Sequence, residues 1–241
     1  MSENIFFRKK NIKLSKLFSN IDVSVDFLIN DIKPLHLAKT KDLTFFDSLK
    51  YKQSAINTKA SACITNEKLE KFLPKKINKI IVKNILLELA QALQNIYPFA
   101  EIDYPDLSLK IVKKSKYKSV KFGNNVLIGK SVKIGKNSII GSNSIMEHNV
   151  EIGQDCIIGS GNIIKNSIIG NRVVLQDNCK IGQKGFGFIP KQNKNFKFPH
   201  IGKVVIQDDV EIASGCTIDR GSIDDTVIGK NTYLDNQVHR S

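Results

Sequence analysis

The sequence predicts a small N-terminal α/β domain followed by a left-handed parallel β-helix of hexapeptide repeats. Two observations support this: an apolar residue returns every sixth position through most of the second half, and glycine often follows it directly. A fixed internal period this short indicates a solenoid, and a six-residue period is typical of a parallel β-helix. The repeated apolar positions are Phe122, Ile128, Ile134, Ile140, Met146, Ile152, Ile158, Ile164, Ile169, Leu175, Ile181, Ile206, Ile212, Ile218, Ile228 and Leu234.

Each hexapeptide is expected to form one short strand and one turn, with the repeated apolar side chain pointing inward. A second inward position, two residues earlier, holds small or β-branched side chains that suit a narrow pleated surface. Glycine and asparagine cluster after the apolar position, where we expect the backbone to turn with φ near or above zero. An ordinary β-sandwich would instead show turn signals at intervals varying between about 8 and 12 residues. The second inward positions are Val126, Val132, Val150, Cys156, Val173, Cys179, Val204, Val210, Cys216 and Val238.

The six-residue period is missing from the first hundred residues. Alternating apolar segments there predict short strands, and apolar spacing at helical intervals predicts one helix. We therefore predict an α/β domain over residues 1–101 and a β-helix over 102–241, with the lysine-rich stretch up to residue 119 as a linker or an irregular first coil. The predicted elements of the first domain are strands at Leu43–Phe46, Ala62–Thr65 and Lys79–Val82 and a helix from Ile85 to Ile96.

The charge balance is strongly basic, with a formal net charge of +14 from 37 Lys and Arg against 23 Asp and Glu. Such a balance favours nucleic acid, an anionic membrane or an acidic protein as a partner. The lysines are scattered, with the densest run at residues 113–121, and no nucleic-acid-binding motif surrounds them. We expect no nucleic-acid partner; a plain solvated surface and attraction of an acidic carrier protein both remain open.

The cysteines and the apolar stretches indicate the cellular compartment of the protein. The sequence has no N-terminal run flanked like a signal peptide and no apolar stretch near the ~18 residues of a membrane span. These features predict a cytoplasmic protein without an integral membrane segment. Cys156, Cys179 and Cys216 fall on the second inward position and match no metal-binding spacing, so we expect small core residues rather than ligands or a nucleophile.

An insertion interrupts the repeat between Gln183 and Lys203, and a second irregularity lies between Ile218 and Ile228. Insertions in repeat proteins leave from one face and often build the binding site. Within this one, Gly185 and Gly187 would let the backbone approach a substrate, and Phe186 and Phe188 would supply an apolar wall. A tight loop buried against a neighbouring subunit is the alternative.

Six segments together resemble the UDP-3-O-acylglucosamine N-acyltransferase family of lipid A biosynthesis. In the second half they are IGQKGFGFIP (181–190), TIDRGSIDDTVIG (217–229) and LDNQ (234–237); in the first half they are LTFFDSLKY (43–51), KASACI (59–64) and IVKN (81–84). The resemblance implies transfer of a 3-hydroxyacyl group from acyl carrier protein to the 2-amine of UDP-3-O-acylglucosamine. It also implies a homotrimer with active sites at the subunit boundaries.

Two departures from the family pattern stand out. Ser48 occupies a position where the family usually has Asn, and the sequence stops at Ser241, one residue before the family's catalytic His would fall. The resemblance therefore implies that further coils and C-terminal helices are missing. We expect a C-terminally truncated or frame-shifted gene product whose activity is impaired, and the acyl-chain length is not predicted.

In the implied reaction an amine attacks a thioester carbonyl. A His with a near-neutral pKa suits the base, and a backbone N–H suits the developing oxyanion. Because the thioester is already activated, we expect no metal and no prosthetic cofactor, with the acyl carrier protein thioester as co-substrate. His239 is a weak candidate for the base, since it is offset by three residues from the family position and an odd offset changes the face.

The other histidines are given structural roles. His148 lies in an HNV tripeptide upstream of the insertion and is expected to be an exposed turn residue. His36 and His200 are expected to be structural or surface groups. Asp219 and Arg220 are expected to form a structural pair.

The substrate-binding prediction rests on the resemblance and on the chemistry of a flat base. Phe45 and Tyr51 match the family's stacking pair, and aromatic stacking on a base contributes about 1–3 kcal/mol; core packing is the alternative for each ring. Ser48 would hydrogen-bond the base edge, and Lys83 and Asn84 are weaker candidates near the nucleotide. Asp235 and Gln237 would lie beside the sugar amine.

Two other functions remain open at this stage. One is a different hexapeptide acyltransferase that acts on a nucleotide sugar with acetyl-coenzyme A as donor. The other is a non-catalytic subunit that binds a nucleotide sugar.

Overall fold

The computed structural model describes residues 4–19 and 25–241. They divide into two compact units. The N-terminal unit comprises the described residues of 7–102 together with 187–199, and the β-helix unit comprises 4–6, 103–186 and 200–241. The division at residues 101 and 102 is still a prediction, and residues 1–3 and 20–24 of the predicted first domain lie outside the described residues.

Short strands dominate the described chain. The helices are α1 (Leu14–Leu17), α2 (Lys52–Ile56) and α3 (Ile85–Ile96), with 3₁₀ helices at Leu49–Tyr51, Glu70–Phe72 and Lys114–Lys116. The strands are β1 (Leu43–Phe45), β2 (Ala62–Thr65), β3 (Asn78–Ile81), β4 (Lys110–Ile111), β5 (Lys121–Phe122), β6 (Leu127–Ile128), β7 (Lys133–Ile134), β8 (Ile139–Ile140), β9 (Ile145–Met146), β10 (Glu151–Ile152), β11 (Ile157–Ile158), β12 (Ile163–Ile164), β13 (Ser167–Ile169), β14 (Val174–Leu175), β15 (Lys180–Lys184), β16 (Phe188–Ile189), β17 (Phe196–Lys197), β18 (Val204–Ile206), β19 (Glu211–Ile212), β20 (Thr217–Arg220), β21 (Thr226–Ile228), β22 (Tyr233–Leu234) and β23 (His239–Arg240).

The N-terminal unit is built on a parallel sheet in the order β1–β2–β3. Helix α3 follows β3 and buries Leu89, Leu93 and Ile96 on its inner face. These elements confirm the predicted strands and helix to within a residue at each end. The unit also contains the antiparallel hairpin of β16 and β17, which forms most of the predicted insertion.

The strands of the β-helix unit form three sheets, in each of which strands from successive coils are neighbours. One runs β7–β10–β13–β18–β21, the second β5–β8–β11–β14–β19–β22 and the third β4–β6–β9–β12–β15–β20–β23. Within each sheet the repeated apolar residues are direct partners; Ile158, for example, pairs with Ile140 and with Leu175. Parallel stacking in this register confirms the hexapeptide β-helix. Its handedness stays a prediction.

The core of this unit is the column of inward side chains that the repeat predicts. The repeated apolar residues from Ile140 to Ile228 are buried, and Phe122, Ile128, Ile134 and Leu234 pack against them from the ends. Burying a side chain of this size contributes roughly 1.5–3 kcal/mol. Cys156, Cys179 and Cys216 lie in the column as free, buried thiols, which confirms their predicted place in the core.

Some second inward positions are polar, and hydrogen bonds between coils satisfy them. The buried Ser138 hydroxyl donates to the Gly153 carbonyl at 3.0 Å and accepts from the Cys156 N–H at 3.1 Å. Asn162 repeats the arrangement one face away, because its side-chain oxygen accepts from the Cys179 N–H at 2.8 Å. Buried polar groups with such partners carry little desolvation cost.

The turns correct one expectation about glycine. Positive φ falls three residues after the repeated apolar position, at Asn137 (63°) and Asn143 (58°) for example, and asparagine tolerates this conformation. The glycines directly after the apolar position are needed for space instead. A Cβ on Gly135 would lie 2.5 Å from the backbone nitrogen of Gln154 in the next coil.

The lysine-rich stretch before the first regular coil packs on the end of the column. Strand β4 pairs antiparallel with β6, and Val112 and Val120 contact the core. This stretch is therefore part of the β-helix unit and not a free linker. Among residues 4–19 and 25–241, no helix is long and apolar enough to cross a membrane.

Candidate functional site

The predicted stacking residues follow strand β1 in the N-terminal unit. Phe45 is the last residue of β1 and is half-buried, whereas its neighbour Phe46 is fully buried because successive side chains alternate between the faces of a strand. Tyr51 ends the next 3₁₀ helix with 47% of its surface exposed. Both rings therefore keep accessible surface, which favours binding over pure core packing.

Ser48 and Asn84 make hydrogen bonds within the protein. The Ser48 hydroxyl accepts from the Lys50 N–H at 3.3 Å, which caps the 3₁₀ helix and leaves the hydroxyl hydrogen able to donate. The Asn84 side chain accepts from the Leu87 N–H at 3.0 Å as the N-cap of α3. Asn84 therefore has a structural role in addition to its predicted place near the nucleotide.

The topology brings these candidates to one edge of the sheet. Phe45, Ser48 and Tyr51 follow the carboxyl end of β1, and the exposed Lys83 and Asn84 follow the carboxyl end of β3. Because β1, β2 and β3 are parallel, these ends lie at the same edge, and in open α/β sheets that edge is where ligands bind.

A separate cavity of about 320 Å³ lies elsewhere in the N-terminal unit. Its lining includes Phe18, Gln91 and Phe196, from the end of α1, from α3 and from β17. The five predicted nucleotide residues are not part of that lining. The cavity also includes Gln94 and Asn95, but we give more weight to the sheet edge because the residues predicted from the family resemblance lie there.

The GFGF segment is divided between the two units. Gly185 is buried in the β-helix unit and Phe186 beside it is 92% exposed, whereas Gly187 and the exposed Phe188 belong to the N-terminal unit. A Cβ on Gly185 would lie 2.9 Å from Cε1 of His200, so glycine allows the histidine ring to approach closely. The predicted close approach to a substrate is not tested.

Gly185 borders a cluster of charged and polar groups that we call the polar corner, of which His200, Asp219 and Arg220 are buried. Five members are side chains from one sheet and the segments that flank it. The sixth, His200, follows the insertion. The polar corner comprises Asp103, Glu147, Lys165, His200, Asp219 and Arg220.

Arg220 is the buried centre of the polar corner, and it corrects a prediction. Its Nη1 lies 2.6 Å from Oδ1 of Asp103, and its Nε donates to the His200 carbonyl at 3.0 Å. The expected partner was Asp219, but neighbouring residues on a strand point to opposite faces. Burial alone would raise the pKa of Asp103, but the charge of Arg220 and the Lys184 N–H hold it below its usual value.

His200 is buried, with 9% of its surface exposed, so its expected surface role is wrong and its structural role holds. Burial, followed by the nearby Lys184 charge, lowers the pKa of His200 to about 4. The imidazole is therefore neutral near pH 7. The signal in the sequence was its position: the two ends of an insertion into a solenoid must meet, and Gly185 and His200 lie at those ends.

Asp219 connects the polar corner with His239. The Asp219 side chain is 5% exposed, its Oδ2 lies 3.2 Å from Nε2 of His239, and its Oδ1 has no hydrogen-bond partner among the described residues. His239 on β23 pairs with Thr217 on the neighbouring strand β20, and Asp219 lies two residues after Thr217. The side chains of His239 and Asp219 therefore both lie on the outer face of this sheet. An outward imidazole held by a buried carboxylate has the arrangement of an oriented base.

Asp235 and Gln237 lie in the turn before β23, and both are exposed. The Asp235 carboxylate accepts from the Asn236 N–H at 2.7 Å, and Gln237 adopts a positive φ of 58°. The chain places them two to four residues from His239. No contact of either with the polar corner is part of the described structure, so their predicted role beside a sugar amine is untested.

His148 and His36 differ from each other. His148 is half-buried and not in the exposed turn that its tripeptide predicts: its backbone N–H donates to Asp106 Oδ2 at 2.7 Å, and its Nδ1 lies 3.4 Å from the same oxygen. The acidic neighbour, distant in sequence, is the reason for the difference. His36 lies on the surface of the N-terminal unit, as expected.

The coils and the family models define the class of protein first. A model described as bacterial transferase hexapeptide (six repeats) matches residues 131–166. A second, described as UDP-3-O-(3-hydroxymyristoyl) glucosamine N-acyltransferase, matches residues 26–95 in the N-terminal unit. The chain is thus a hexapeptide-repeat transferase by class.

Whole-chain relatives give the family. A UDP-3-O-acylglucosamine N-acyltransferase of Rhizobium johnstonii is 32% identical over 253 residues, covering 99% of this chain and 72% of the relative. One from Rhodopseudomonas palustris (strain TIE-1) is 35% identical and covers 87% of this chain and 59% of the relative. One from Prochlorococcus marinus is 42% identical and covers 87% of this chain and 63% of the relative. The chain belongs to the UDP-3-O-acylglucosamine N-acyltransferase family.

The relatives also differ from this chain in length, and solved structures add a further comparison. The chain spans about 59% of the length of the Rhodopseudomonas palustris relative. Among solved structures, a mutant of perosamine N-acetyltransferase from Caulobacter crescentus is 12% identical and pairs 84% of this chain with 93% of its own, at a TM-score of 0.23. A TM-score this low gives no information on fold or function.

Proposed function

We propose that this protein transfers a 3-hydroxyacyl group from acyl carrier protein to the 2-amine of UDP-3-O-acylglucosamine. The observation that carries the proposal is membership of the family, through 32% identity over 99% of the chain. The thioester of acyl carrier protein is the proposed donor, and neither a metal nor a prosthetic cofactor is required. We place the reaction in the cytoplasm and expect a homotrimer.

In this proposal the N-terminal unit binds the uridine part of the acceptor. Phe45 and Tyr51 stack on the uracil, Ser48 donates its free hydroxyl hydrogen to the base edge, and Lys83 lies near the phosphates. Partial exposure of both rings and the shared carboxyl edge of β1 and β3 support this assignment. Asn84 contributes through the cap that it forms on α3.

In the β-helix unit, His239 is the proposed base and Asp219 its positioning residue. A buried carboxylate 3.2 Å from Nε2 fixes the orientation and tautomer of the ring. The ring then accepts the proton that the amine loses as it attacks the thioester carbonyl, and it returns that proton to the thiolate of acyl carrier protein, which leaves as the C–S bond breaks and the amide forms. Asp235 and Gln237 bind the sugar, and Phe186 of the GFGF segment supplies the apolar wall in this unit.

Acyl transfer by the purified 241-residue chain tests the proposal. The chain is given UDP-3-O-acylglucosamine with either a 3-hydroxyacyl-acyl carrier protein or acetyl-coenzyme A, and thioester release is followed. We expect release above a buffer control only with the acyl carrier thioester. Preference for acetyl-coenzyme A, or calorimetric UDP binding without any transfer, would contradict the proposed reaction.

Variants separate binding from chemistry. Phe45→Ala and Tyr51→Ala should each weaken UDP binding by roughly fivefold to a hundredfold, the equivalent of about 1–3 kcal/mol of stacking. Tyr233→Ala is the matched control, because that ring is 68% exposed and belongs to β22 of the β-helix unit. Equal UDP affinity in all three variants would contradict the assignment of uridine binding to the N-terminal unit.

A further inference from the structure

One stretch of the β-helix unit has an extreme charge composition that the proposed reaction does not use. From Leu107 to Met146 the sequence contains nine lysines and no Asp, Glu or Arg. A chain with 23 acidic residues in 241 positions would be expected to place some of them in forty residues. The lysines are Lys110, Lys113, Lys114, Lys116, Lys118, Lys121, Lys130, Lys133 and Lys136.

The structure gathers six of these lysines at the first coil. Residues 107–121, here called the basic cap, run through β4 and the 3₁₀ helix Lys114–Lys116 to the start of β5. Val112 and Val120 point inward and pack on the column, which anchors the segment. All six lysines of the basic cap are exposed.

The lysines of the basic cap are outside the ion pairs formed by the described residues. Lys114 donates to the Phe122 carbonyl at 3.2 Å, and the Lys116 ammonium lies 5.5 Å from the centre of the Tyr117 ring. Their charge is therefore available to an outside partner.

Two aliphatic side chains project among these charges. Leu107 is 94% exposed and Ile111 is 69% exposed, although other apolar residues of the same segment pack inward. Lysines that surround protruding aliphatic groups are typical of surfaces that lie on anionic bilayers.

We infer that the basic cap docks on an anionic lipid bilayer. The residue types favour lipid over an acidic protein: lysine is a hydrated point charge suited to diffuse attraction, whereas arginine reads carboxylates in a fixed geometry and is missing from the stretch. Leucine is also under-represented among residues that dominate protein interfaces, while Leu107 is the most exposed large apolar side chain of the described chain. Docking is independent of the proposed reaction, although substrates that carry acyl chains also partition into bilayers.

Vesicle co-sedimentation of the whole 241-residue chain tests this inference. Vesicles of phosphatidylcholine alone are compared with vesicles that also contain phosphatidylglycerol, at low and high salt and without acyl substrates. We expect binding that requires phosphatidylglycerol and weakens with salt, because screening shortens the reach of the lysine charges. Since no turnover is measured, the result stands whether or not the proposed reaction is correct.

A charge-matched pair of variants assigns the binding to the basic cap. The triple change Lys113→Glu, Lys114→Glu and Lys116→Glu should weaken binding at least about tenfold. Lys68→Glu, Lys75→Glu and Lys76→Glu alter the net charge equally at exposed positions of the N-terminal unit and should change binding little. Leu107→Ser with Ile111→Ser should reduce binding several-fold, while Val227→Ser, at an exposed position on β21, should not.

Three results would overturn the inference. They are equal binding to both kinds of vesicle or to neither, equal losses in the two triple variants, and a basic-cap variant that loses acyl carrier protein but keeps the vesicles. The last result would make the surface a protein-docking site. Melting temperatures of every variant separate these outcomes from misfolding, which exposed substitutions should not cause.

Discussion

Inside the β-helix unit, the apolar column and the polar corner differ in how their side chains are stabilised. In the column, each coil repeats the same inward side chains, and the few polar ones such as Ser138 are satisfied by the next coil. In the polar corner, a fully buried Arg220 is neutralised by Asp103, which lies 117 positions earlier in the chain. The column follows from repetition, whereas the polar corner depends on specific partners.

The difference indicates where function resides. Repeats stabilise a solenoid by summing similar contacts between neighbouring coils. Places where a sequence abandons its own local rule are expected at functional sites. Gly185, His200 and Asp219 all lie where the hexapeptide period is interrupted, and the same region holds the contact of Asp219 with His239.

The largest effect should come from removing the buried guanidinium of Arg220. Arg220→Ala deletes the ion pair with Asp103 and leaves Lys165, 3.8 Å away, as the remaining cation, so it should reduce the free energy of unfolding by about 3 kcal/mol. Arg172 is the control, since its pair with Asp209 at 2.6 Å is on the surface and should contribute about 0–1 kcal/mol. Denaturant unfolding measures both; equal losses would show that burial of Arg220 does not govern its contribution.

Acid should destabilise the polar corner over a defined window. The unfolded His200 titrates near its ordinary pKa of 6.5, whereas the folded residue does so at about 4. Between these values the unfolded state binds more protons, so stability falls as pH falls from about 6.5 to 4, by on the order of 3 kcal/mol. His200→Asn should flatten this part of the stability curve, and parallel curves for the two proteins would contradict the assignment.

A smaller effect should distinguish the glycines of the column. Gly135→Ala places a Cβ 2.5 Å from the backbone of the next coil and should cost about 1–3 kcal/mol. Gly229→Ala is matched in position after the repeated residue, but its nearest neighbour would be Thr232 Oγ1 at 3.8 Å. Thermal unfolding should therefore show a lower melting temperature for Gly135→Ala than for Gly229→Ala. Similar melting temperatures would show that the turn conformation, and not the space between coils, favours glycine.

Periodicity made most of the fold predictable. The inward residues of the column, the buried cysteines and the elements β1 to α3 depend on local patterns that one sequence displays. The role of the glycines was misjudged because the contact that excludes a side chain comes from a neighbouring coil, about eighteen positions away.

The polar corner was largely unpredictable for the same physical reason. Asp219 and Arg220 are adjacent in sequence, which suggested a pair, but a strand separates neighbouring side chains and supplies distant partners instead. The half-buried His148 likewise depends on Asp106, 42 residues before it. The family resemblance identifies motifs, but the partner of each side chain depends on contacts between distant parts of the folded chain.

The most direct test of this account is the rate of acyl transfer by Asp219→Asn beside wild type and Glu211→Gln. If Asp219 orients His239 for proton transfer, kcat for the asparagine variant should fall at least about tenfold with little change in KM or melting temperature. Glu211→Gln, a change on β19, should leave the rate unchanged. Transfer at the wild-type rate by Asp219→Asn, or no transfer by wild type, would contradict the account.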